Sequence, residues 1–341
     1  MYVEIKKFKK NCFEFDTNVE DALIKLSKLK RKVILVTKNK IFCGTVTDGD
    51  IRKNFYSTKN TIKLEDIMNN KPKFLRKDYI KKDIKKIKKK DIRYAPVLNK
   101  SKKIINLIDL WGSEYQRYKN EVIILAGGFG KRLRPYTIKI PKPMLRINNK
   151  PHLETLIKKI NAQGFNNISI LLFYKHSYII KKIKKTFPRN NISFIKEKKP
   201  LGTAGGLSNV KFSNKCPPII INADLITSLD IKNLMYYHKI VKSDFTVSIK
   251  QKMDKIPFAT VNLKKNVIVS IEEKPSRDFF FNAGIYMIEQ KILKLLKKNK
   301  KIDMPDLIKL AIKKKYNIRA FNMYEDWMDY GSKEIFEKLN N

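Results

Sequence analysis

A glycine-rich segment at residues 125–137 has the composition of a loop that binds phosphate groups. It reads LAGGFGKRLRPYT and begins as the apolar run Val122–Leu125, which predicts a buried strand, comes to an end. Glycine adopts positive φ angles and lets the backbone approach a ligand, so that successive N–H groups can converge on phosphate oxygens. The loop glycines are Gly127, Gly128 and Gly130.

Fixed positive charge follows these glycines. Arg132 lies within the segment, and Lys142 follows in the run Pro141-Lys-Pro-Met144, whose prolines restrict the backbone. A P-loop is excluded because its first glycine position holds Leu125 and because Arg132 stands where serine or threonine is required. A dinucleotide-binding fingerprint is excluded because Leu133 occupies the position of its third glycine.

A carboxylate ends a second apolar run, Ile219-Ile-Ile-Asn-Ala-Asp224. A buried aspartate without a partner is costly, so Asp224 is expected to face a metal ion or a cationic side chain. The alternative is that Asp224, Ser228 or Asp230 caps the next helix.

Apolar runs alternate with helical patterns from residue 121 onward. This alternation predicts an α/β domain with a Rossmann-like, mainly parallel sheet and helices on both faces. Ligands of such sheets lie at the carboxyl ends of the strands. Further strands are predicted at 168–173, 192–195, 218–221 and 245–249, and helices at 153–162, 177–185 and 231–240.

The complete pattern G-G-x-G-x-R-L-x-P-x-T, followed by P-K-P, resembles the sugar-1-phosphate nucleotidyltransferases, the enzymes that make nucleotide sugars. Later segments match motifs of that family in the same order: Leu201–Gly205, Asn222–Asp224, Glu273–Pro275, Asn282–Gly284 and Trp327–Gly331. The resemblance covers residues 119–341 and includes every motif of the catalytic set.

The resemblance implies a role for each matching residue. Arg132 and Lys142 would stabilise charge on the transferred phosphoryl group, and Asp224 and Asp329 would ligate Mg²⁺. The nucleotide would lie against Leu125, Ala126, Gly127, Gly128, Gly130, Lys131, Gly202 and Ala204. The sugar phosphate would contact Glu273, Lys274 and Asn282. Two alternatives stay open. In one, the segment Pro200–Gly206, the second glycine loop, serves only to pack a helix N-terminus tightly on the sheet; in the other, Glu273–Lys274 is ordinary surface charge.

The implied reaction joins a sugar 1-phosphate to the α-phosphorus of a nucleoside triphosphate and releases pyrophosphate. The attacking phosphate is already ionised at neutral pH, so no general base is required. The three histidines, His152, His176 and His238, have no metal-ligand spacing and are predicted to be structural or surface residues.

The substrates follow mainly from resemblance. Residues 1–118 precede the transferase segments, and their segment Gly44–Asp50 resembles the motif of CBS domains, which occur in pairs. A CBS pair ahead of such a transferase resembles the glucosamine-1-phosphate guanylyltransferases of bacterial legionaminic acid synthesis, which implies GTP and a hexosamine 1-phosphate. Glu197 is a candidate for reading guanine, because a carboxylate can accept from both N1–H and the amino group. Alternatively it is one more solvated charge in Lys196–Lys199. Mannose or heptose 1-phosphate, UTP or CTP, and a noncatalytic nucleotide sensor are the competing readings.

Residues 1–118 contain an internal repeat. Two pairs of apolar runs, 33–46 and 94–108, each read as two strands with a tight turn after an amphipathic segment. Gly44-Thr-Val-Thr-Asp-Gly-Asp50 resembles the motif of CBS domains, in which Thr47 and Asp50 would hold the ribose of an adenine nucleotide. Helix capping is the alternative role for this segment. The second repeat lacks the motif, so at most one nucleotide site is expected in the pair.

Composition limits the remaining classes. The net charge of +43 attracts polyanions, but the lysines are spread along the chain and form no motif for specific nucleic-acid binding. The cysteines Cys12, Cys43 and Cys216 are far apart and odd in number, which favours a reducing cytoplasm and no zinc site. No signal peptide and no apolar run of membrane-spanning length is evident. The chain is expected to form a homo-oligomer.

Overall fold

The computed structural model describes residues 2–5, 7–28, 33–54, 62–88, 92–110, 118–188, 190–212 and 216–340. The chain divides into two compact units, residues 1–118 and 119–341. The sequence places the domain boundary in the polar segment 111–120, of which residues 111–117 lie outside the described residues.

The N-terminal unit contains the same arrangement twice. In each repeat a short strand pairs in parallel with the first strand of an antiparallel hairpin, and a helix stands between them in the chain. The strands are β1 Val3–Glu4, β2 Cys12–Glu14, β3 Val33–Lys38, β4 Ile41–Thr47, β5 Leu75–Arg76, β6 Tyr94–Leu98 and β7 Ile104–Asp109. The helices are α1 Val19–Lys28, α2 Asp48–Asn54, α3 Leu64–Ile67 and α4 Lys81–Lys88. β2-β3-β4 form one sheet and β1-β7-β6-β5 the other.

The two repeats share a core. One buried cluster joins Val33, Leu35 and Phe42 of the first hairpin to Leu98 and Leu107 of the second. Each hairpin therefore covers apolar surface that the other leaves open, as expected for stacked repeat units.

The side chains of Thr47 and Asp50 are bonded to one another at the start of α2. Asp50 Oδ2 accepts from the Thr47 backbone N–H at 2.8 Å and from its hydroxyl at 2.7 Å, while the Asp50 N–H lies 3.4 Å from the Thr47 hydroxyl oxygen. This is a reciprocal capping arrangement. The geometry accounts for both residues by capping alone, and their assignment as nucleotide ligands in a CBS pair stays a prediction.

A seven-stranded sheet organises the C-terminal unit. Its order is β12-β11-β8-β13-β18-β15-β19, and all its pairings are parallel except those of β18, which runs antiparallel to both neighbours. The strands are β8 Val122–Leu125, β9 Arg146–Ile147, β10 Lys150–Pro151, β11 Ile168–Leu172, β12 Ile192–Lys196, β13 Ile219–Asn222, β14 Leu225–Thr227, β15 Phe245–Lys255, β16 Thr260–Lys264, β17 Val267–Glu272, β18 Ser276–Ile288, β19 Ile318–Asn322 and β20 Trp327–Asp329. The predicted mixed α/β fold with a largely parallel sheet is confirmed.

Helices cover both faces of this sheet. On one face Ala204, Leu207 and Leu307 pack with the strand residues Ile123 and Phe245. On the other, His238 of the helix 231–240 contacts the Thr246 hydroxyl through Nδ1 at 2.7 Å. The helices are α5 Tyr136–Lys139, α6 His152–Ala162, α7 His176–Thr186, α8 Gly202–Gly205, α9 Ile231–Ile240, α10 Gln290–Leu293, α11 Met304–Lys313 and α12 Lys333–Lys338. Short 3₁₀ turns span Lys131–Leu133, Lys142–Met144 and Gly206–Asn209.

The sequence underestimates one feature of the sheet. β15 continues to Lys255 and pairs along its length with β18, well past the predicted end at residue 249. The added segment and the hairpin β16–β17 are solvent-exposed, with Leu263 and Ile271 each 63% exposed. Exposed strands lack the buried apolar run from which a strand is predicted. Within the described residues no helix combines the length and apolar character needed to cross a bilayer.

We expect Asp48→Ala to destabilise the N-terminal unit strongly. Asp48 binds the buried Arg52 guanidinium through both oxygens, at 2.5 and 2.9 Å, and removing one partner of such a pair costs about 3–5 kcal/mol. Asp50→Ala in the same helix is the control, because loss of an exposed cap costs only about 1 kcal/mol. Urea unfolding of both variants measures the difference, and equal losses would contradict the assignment.

Candidate active site

The carboxyl ends of the four parallel strands bring the predicted nucleotide segments together. The Ala126 N–H donates to Leu171 O at 2.9 Å, and the Ala223 N–H donates to Leu125 O at 3.1 Å. The Glu197 N–H donates to Leu172 O at 2.8 Å. The first glycine loop, Glu197 and the strand that leads to Asp224 thus meet at one sheet edge, where the fold places ligands.

The first glycine loop has a shape that side chains would block. Gly130 adopts φ +64°, and a Cβ there would lie 2.8 Å from the Thr137 methyl carbon. The Thr137 hydroxyl donates to Gly130 O at 2.8 Å and closes the loop. By contrast, a Cβ on Gly128 would meet nothing within 4 Å, so this position faces open space. Lys131 and Arg132 follow as exposed residues on a 3₁₀ turn.

A single ammonium group stands between the two predicted metal ligands. Lys142 Nζ lies 2.5 Å from Asp224 Oδ2 and 3.6 Å from Asp329 Oδ1. The antiparallel pair β14–β20 produces this convergence, since Leu225 faces Asp329 in its register. Asp230, and not Asp224, caps the following helix by accepting from the Lys232 N–H at 3.1 Å.

The two carboxylates of this centre differ in their contacts with Lys142. Burial and the Asp224 carboxylate raise the pKa of Asp329, against the opposing charges of Lys142 and Arg132. Asp329 Oδ1 is buried and accepts no hydrogen bond within the described chain. Asp329 thus has an oxygen that no donor of the described chain occupies, and hard oxygen donors are what Mg²⁺ prefers. Asp224 and Asp329 therefore fit a divalent cation that is completed by other oxygen ligands.

Glu197 lies between the two glycine loops. A Cβ on Gly206 would fall 2.0 Å from Glu197 Oε1, and one on Gly127 would fall 3.5 Å from Oε2. Burial raises the pKa of Glu197, and a hydrogen bond from the Leu201 backbone opposes that shift. The carboxylate is therefore half-buried in the site, whereas the neighbouring lysines of the same segment are exposed.

The second glycine loop is held by residues that no motif indicates. Gly202 adopts φ +79°, and a Cβ there would lie 2.6 Å from Ile302 O. Asp303 Oδ1 accepts from the Thr203 N–H at 2.9 Å, and the Thr203 hydroxyl accepts from the Met304 N–H at 2.7 Å. The predicted tight packing is present, but it joins the loop containing Ala204 to α11. Asp303 thus caps the start of α8, and Thr203 caps the start of α11. These two residues are 100 positions apart, so the sequence gives no sign of this contact.

Of the predicted sugar-phosphate residues, Glu273 and Lys274 lie in the connection between β17 and β18, and Asn282 lies on β18. Glu273 and Lys274 are 72% and 70% exposed, with 3.9 Å between Oε1 and Nζ. Asn282 is exposed and accepts from the Gly284 N–H at 3.0 Å. Gly284 adopts φ +74°, and a Cβ there would lie 2.6 Å from Asn222 Nδ2. The described geometry places Asn282 on the strand beside Asn222, while Glu273 and Lys274 extend into solvent.

Two aromatic residues border the charged centre without belonging to the predicted set. Tyr286 is buried, hydrogen-bonds the Asn282 side chain, and has its pKa raised to about 12 by burial. Tyr330 is completely buried beside Lys142. His152 packs edge-on against Tyr330 at 4.9 Å, and burial lowers its pKa to about 4, which keeps the ring neutral. The structural role predicted for His152 agrees with this position.

Comparison with known proteins places the C-terminal unit in a family. Residues 121–341 match the nucleotidyl transferase family model. The chain is 30% identical over 218 residues to D-glycero-alpha-D-manno-heptose 1-phosphate guanylyltransferase of Campylobacter jejuni, covering 63% of this chain and 96% of that protein. It is 27% identical over 226 residues to mannose-1-phosphate guanyltransferase of Aspergillus fumigatus, covering 63% and 62%.

Solved structures agree with this placement. HddC from Yersinia pseudotuberculosis is 30% identical, with a TM-score of 0.52 and coverage of 64% of this chain and 97% of that one. A second structure of HddC, complexed with GMP-PN, matches at the same identity and coverage with a TM-score of 0.50. These matches show that the chain belongs to the nucleotidyl transferase family.

Proposed function

We propose that this protein transfers a nucleotidyl group from GTP to a sugar 1-phosphate. A phosphate oxygen of the sugar phosphate forms a new bond to the α-phosphorus, and the bond from that phosphorus to the bridging oxygen breaks to release pyrophosphate. One observation carries the proposal. Lys142 lies between Asp224 and Asp329, at the carboxyl ends of the strands, where the first glycine loop follows β8.

The chain's own residues address the main barrier of this reaction, the approach of two polyanions. The backbone of the glycine loop and the charges of Lys131, Arg132 and Lys142 counter phosphate repulsion and orient the triphosphate. Asp224 and Asp329 would hold Mg²⁺, which supplies positive charge to both phosphate groups when bound. The attacking phosphate carries no proton that must be removed, so the neutral His152 is not needed as a base.

Glu197 supports guanine as the base. Its carboxylate is half-buried between Gly127 and Gly206, and both oxygens point toward loops that line the nucleotide side of the site. Guanine offers two adjacent donors to a carboxylate, whereas uracil and cytosine do not offer that pair. Two guanylyltransferases among the relatives and the GMP-PN complex of HddC point the same way.

The sugar is assigned on narrower grounds. Exposed Glu273, Lys274 and Asn282 offer hydrogen-bond partners to hydroxyl or amino groups and a charge for the phosphate. We propose glucosamine 1-phosphate as the acceptor, which rests on the resemblance of the whole chain to the legionaminic acid enzymes. Heptose 1-phosphate and mannose 1-phosphate, which the names of the relatives specify, are the alternatives.

Removal of either aspartate's charge should abolish turnover. Asp224→Asn and Asp329→Asn each take an anionic oxygen ligand from Mg²⁺, and Arg132→Ala should lower kcat by about 10²–10³-fold, as loss of one transition-state donor does. Pyrophosphate release measures activity, and circular dichroism checks folding. Asp326→Asn, an exposed carboxylate beside β20, is the matched control with wild-type activity. Full activity in excess chelator, or in either site variant, would exclude the assignment.

Base selection should depend on Glu197. Wild-type kcat/KM for GTP should exceed that for UTP and CTP by about 10²-fold or more, because the wrong base leaves the buried carboxylate unpaired. Glu197→Gln keeps the side-chain size but loses one acceptor, and it should reduce the GTP preference by about tenfold. Each triphosphate is paired with glucosamine, mannose and heptose 1-phosphates, with exposed Glu334→Gln as control. Faster release from UTP or CTP with glucosamine 1-phosphate would refute the guanylyl assignment.

A further inference from the structure

The charged centre consists of Lys142, Asp224 and Asp329. Within the described residues, Tyr330 is the fully buried large aromatic residue that contacts it directly. It follows Asp329 in the sequence, and its side chain has no measurable exposure. It lies in an apolar cluster with Leu133, Leu145, Ile147 and Phe336. Leu133 comes directly after Arg132, so this cluster also supports the end of the first glycine loop.

Three contacts connect Tyr330 to the charged residues. The centre of its ring lies 5.3 Å from Lys142 Nζ, within the range of a cation–π interaction. Its hydroxyl donates to Lys142 O at 3.3 Å. Its backbone N–H donates to Asp224 O at 3.4 Å. One residue therefore touches the head group of Lys142, the backbone of Lys142 and the backbone of Asp224.

Lys142 needs such support because its ammonium is carried on a flexible four-carbon chain. The group lies closer to Asp224 than to Asp329, at 2.5 against 3.6 Å. The Tyr330 ring gives the ammonium a second attraction besides the two carboxylates. Its buried position fixes that attraction in space, since the His152 ring edge and Phe336 hold the tyrosine from other sides.

We propose that Tyr330 is a positioning residue, which holds the Lys142 ammonium on Asp224 so that Asp329 stays available to a divalent cation. The proposal rests on the proposed function and extends it to Tyr330, which lies within the Trp327–Gly331 segment but has no role implied by the resemblance. Without the ring, the Lys142 ammonium can move between the two carboxylates and compete with the cation for Asp329. Metal affinity and turnover then fall together while the fold is retained.

A second buried tyrosine provides a matched control. Tyr237 also donates to a backbone carbonyl, that of Ala320, at 2.7 Å, and packs edge-on against Phe321 at 5.4 Å. Tyr237 lies on α9 and contacts strand β19, away from the aspartates. Tyr330→Leu and Tyr237→Leu thus remove similar buried rings and hydrogen bonds, but only the first removes a contact with the charged centre.

The test measures Mn²⁺ binding to the full chain by electron paramagnetic resonance of the free ion, without turnover, alongside kcat, KM and thermal unfolding. We expect Tyr330→Leu to weaken Mn²⁺ binding and lower kcat by about tenfold each, the lower end of the effect of losing a residue behind a metal ligand. KM for GTP should change less than kcat. Tyr237→Leu should lower the melting temperature without changing Mn²⁺ affinity.

Tyr330→Phe retains the ring and should stay within about threefold of wild type, since only one hydrogen bond is lost. If Tyr330→Leu does not fold, fluorinated phenylalanines at position 330 weaken the ring's attraction for a cation at nearly constant shape. Mn²⁺ affinity should then fall stepwise with fluorination. Unchanged affinity in that series, or equal affinity in the two leucine variants, overturns the positioning role. A wild-type protein that binds Mn²⁺ but releases no pyrophosphate refutes the proposed function instead.

Discussion

The contact of Lys142 with Asp224 and Asp329 is the interaction on which the rest of the site depends. Half-buried carboxylates repel one another, and their side chains here keep only 26% and 39% of their exposure. Lys142 contacts Asp224 closely and Asp329 only at 3.6 Å, which supports our proposal that the pair receives a divalent cation. The short antiparallel pair β14–β20 holds the two carboxylates near one another, because its register pairs Asp329 with Leu225, the residue that follows Asp224.

Much of this centre can be predicted from sequence because its parts are local. The first glycine loop can be predicted because several glycines in a short segment indicate close approach of the backbone to a ligand. Asp224 can be predicted because it is a carboxylate at the end of an apolar strand. The meeting of Lys142 and Asp224, separated by 82 positions, follows from the order of parallel strands in such a sheet. Glu197 is the intermediate case. Its identity suggested a role, but its sequence neighbours are lysines, and only the structure shows the carboxylate between Gly127 and Gly206.

Other parts had no sequence signal for physical reasons. Tyr330 is a single aromatic residue in a segment without periodicity, so its burial depends on contacts with residues far away in the chain. The Thr203–Asp303 exchange joins partners 100 positions apart, and each alone resembles an ordinary helix cap. The long arms of β15 and β18 expose their apolar side chains, so the pattern that marks a half-buried strand is missing there. At Thr47 and Asp50, capping and ligand binding require the same residue types, so the motif alone does not separate them.

The two ends of the site are completed by one late stretch of chain, residues 300–331. At the base end, Ile302 O accepts from the N–H groups of Ala204 and Gly205 at 3.1 and 3.0 Å and fixes the loop that borders Glu197. At the phosphate end, Asp329 and Tyr330 complete the surroundings of Lys142. The motif-bearing strands therefore provide most of the groups that we propose to meet the triphosphate, while this later stretch contacts the loops that carry them. Since catalysis by orientation fails when reacting groups are displaced by about 1 Å, residues without reactive chemistry in this stretch determine whether the reactive ones are effective.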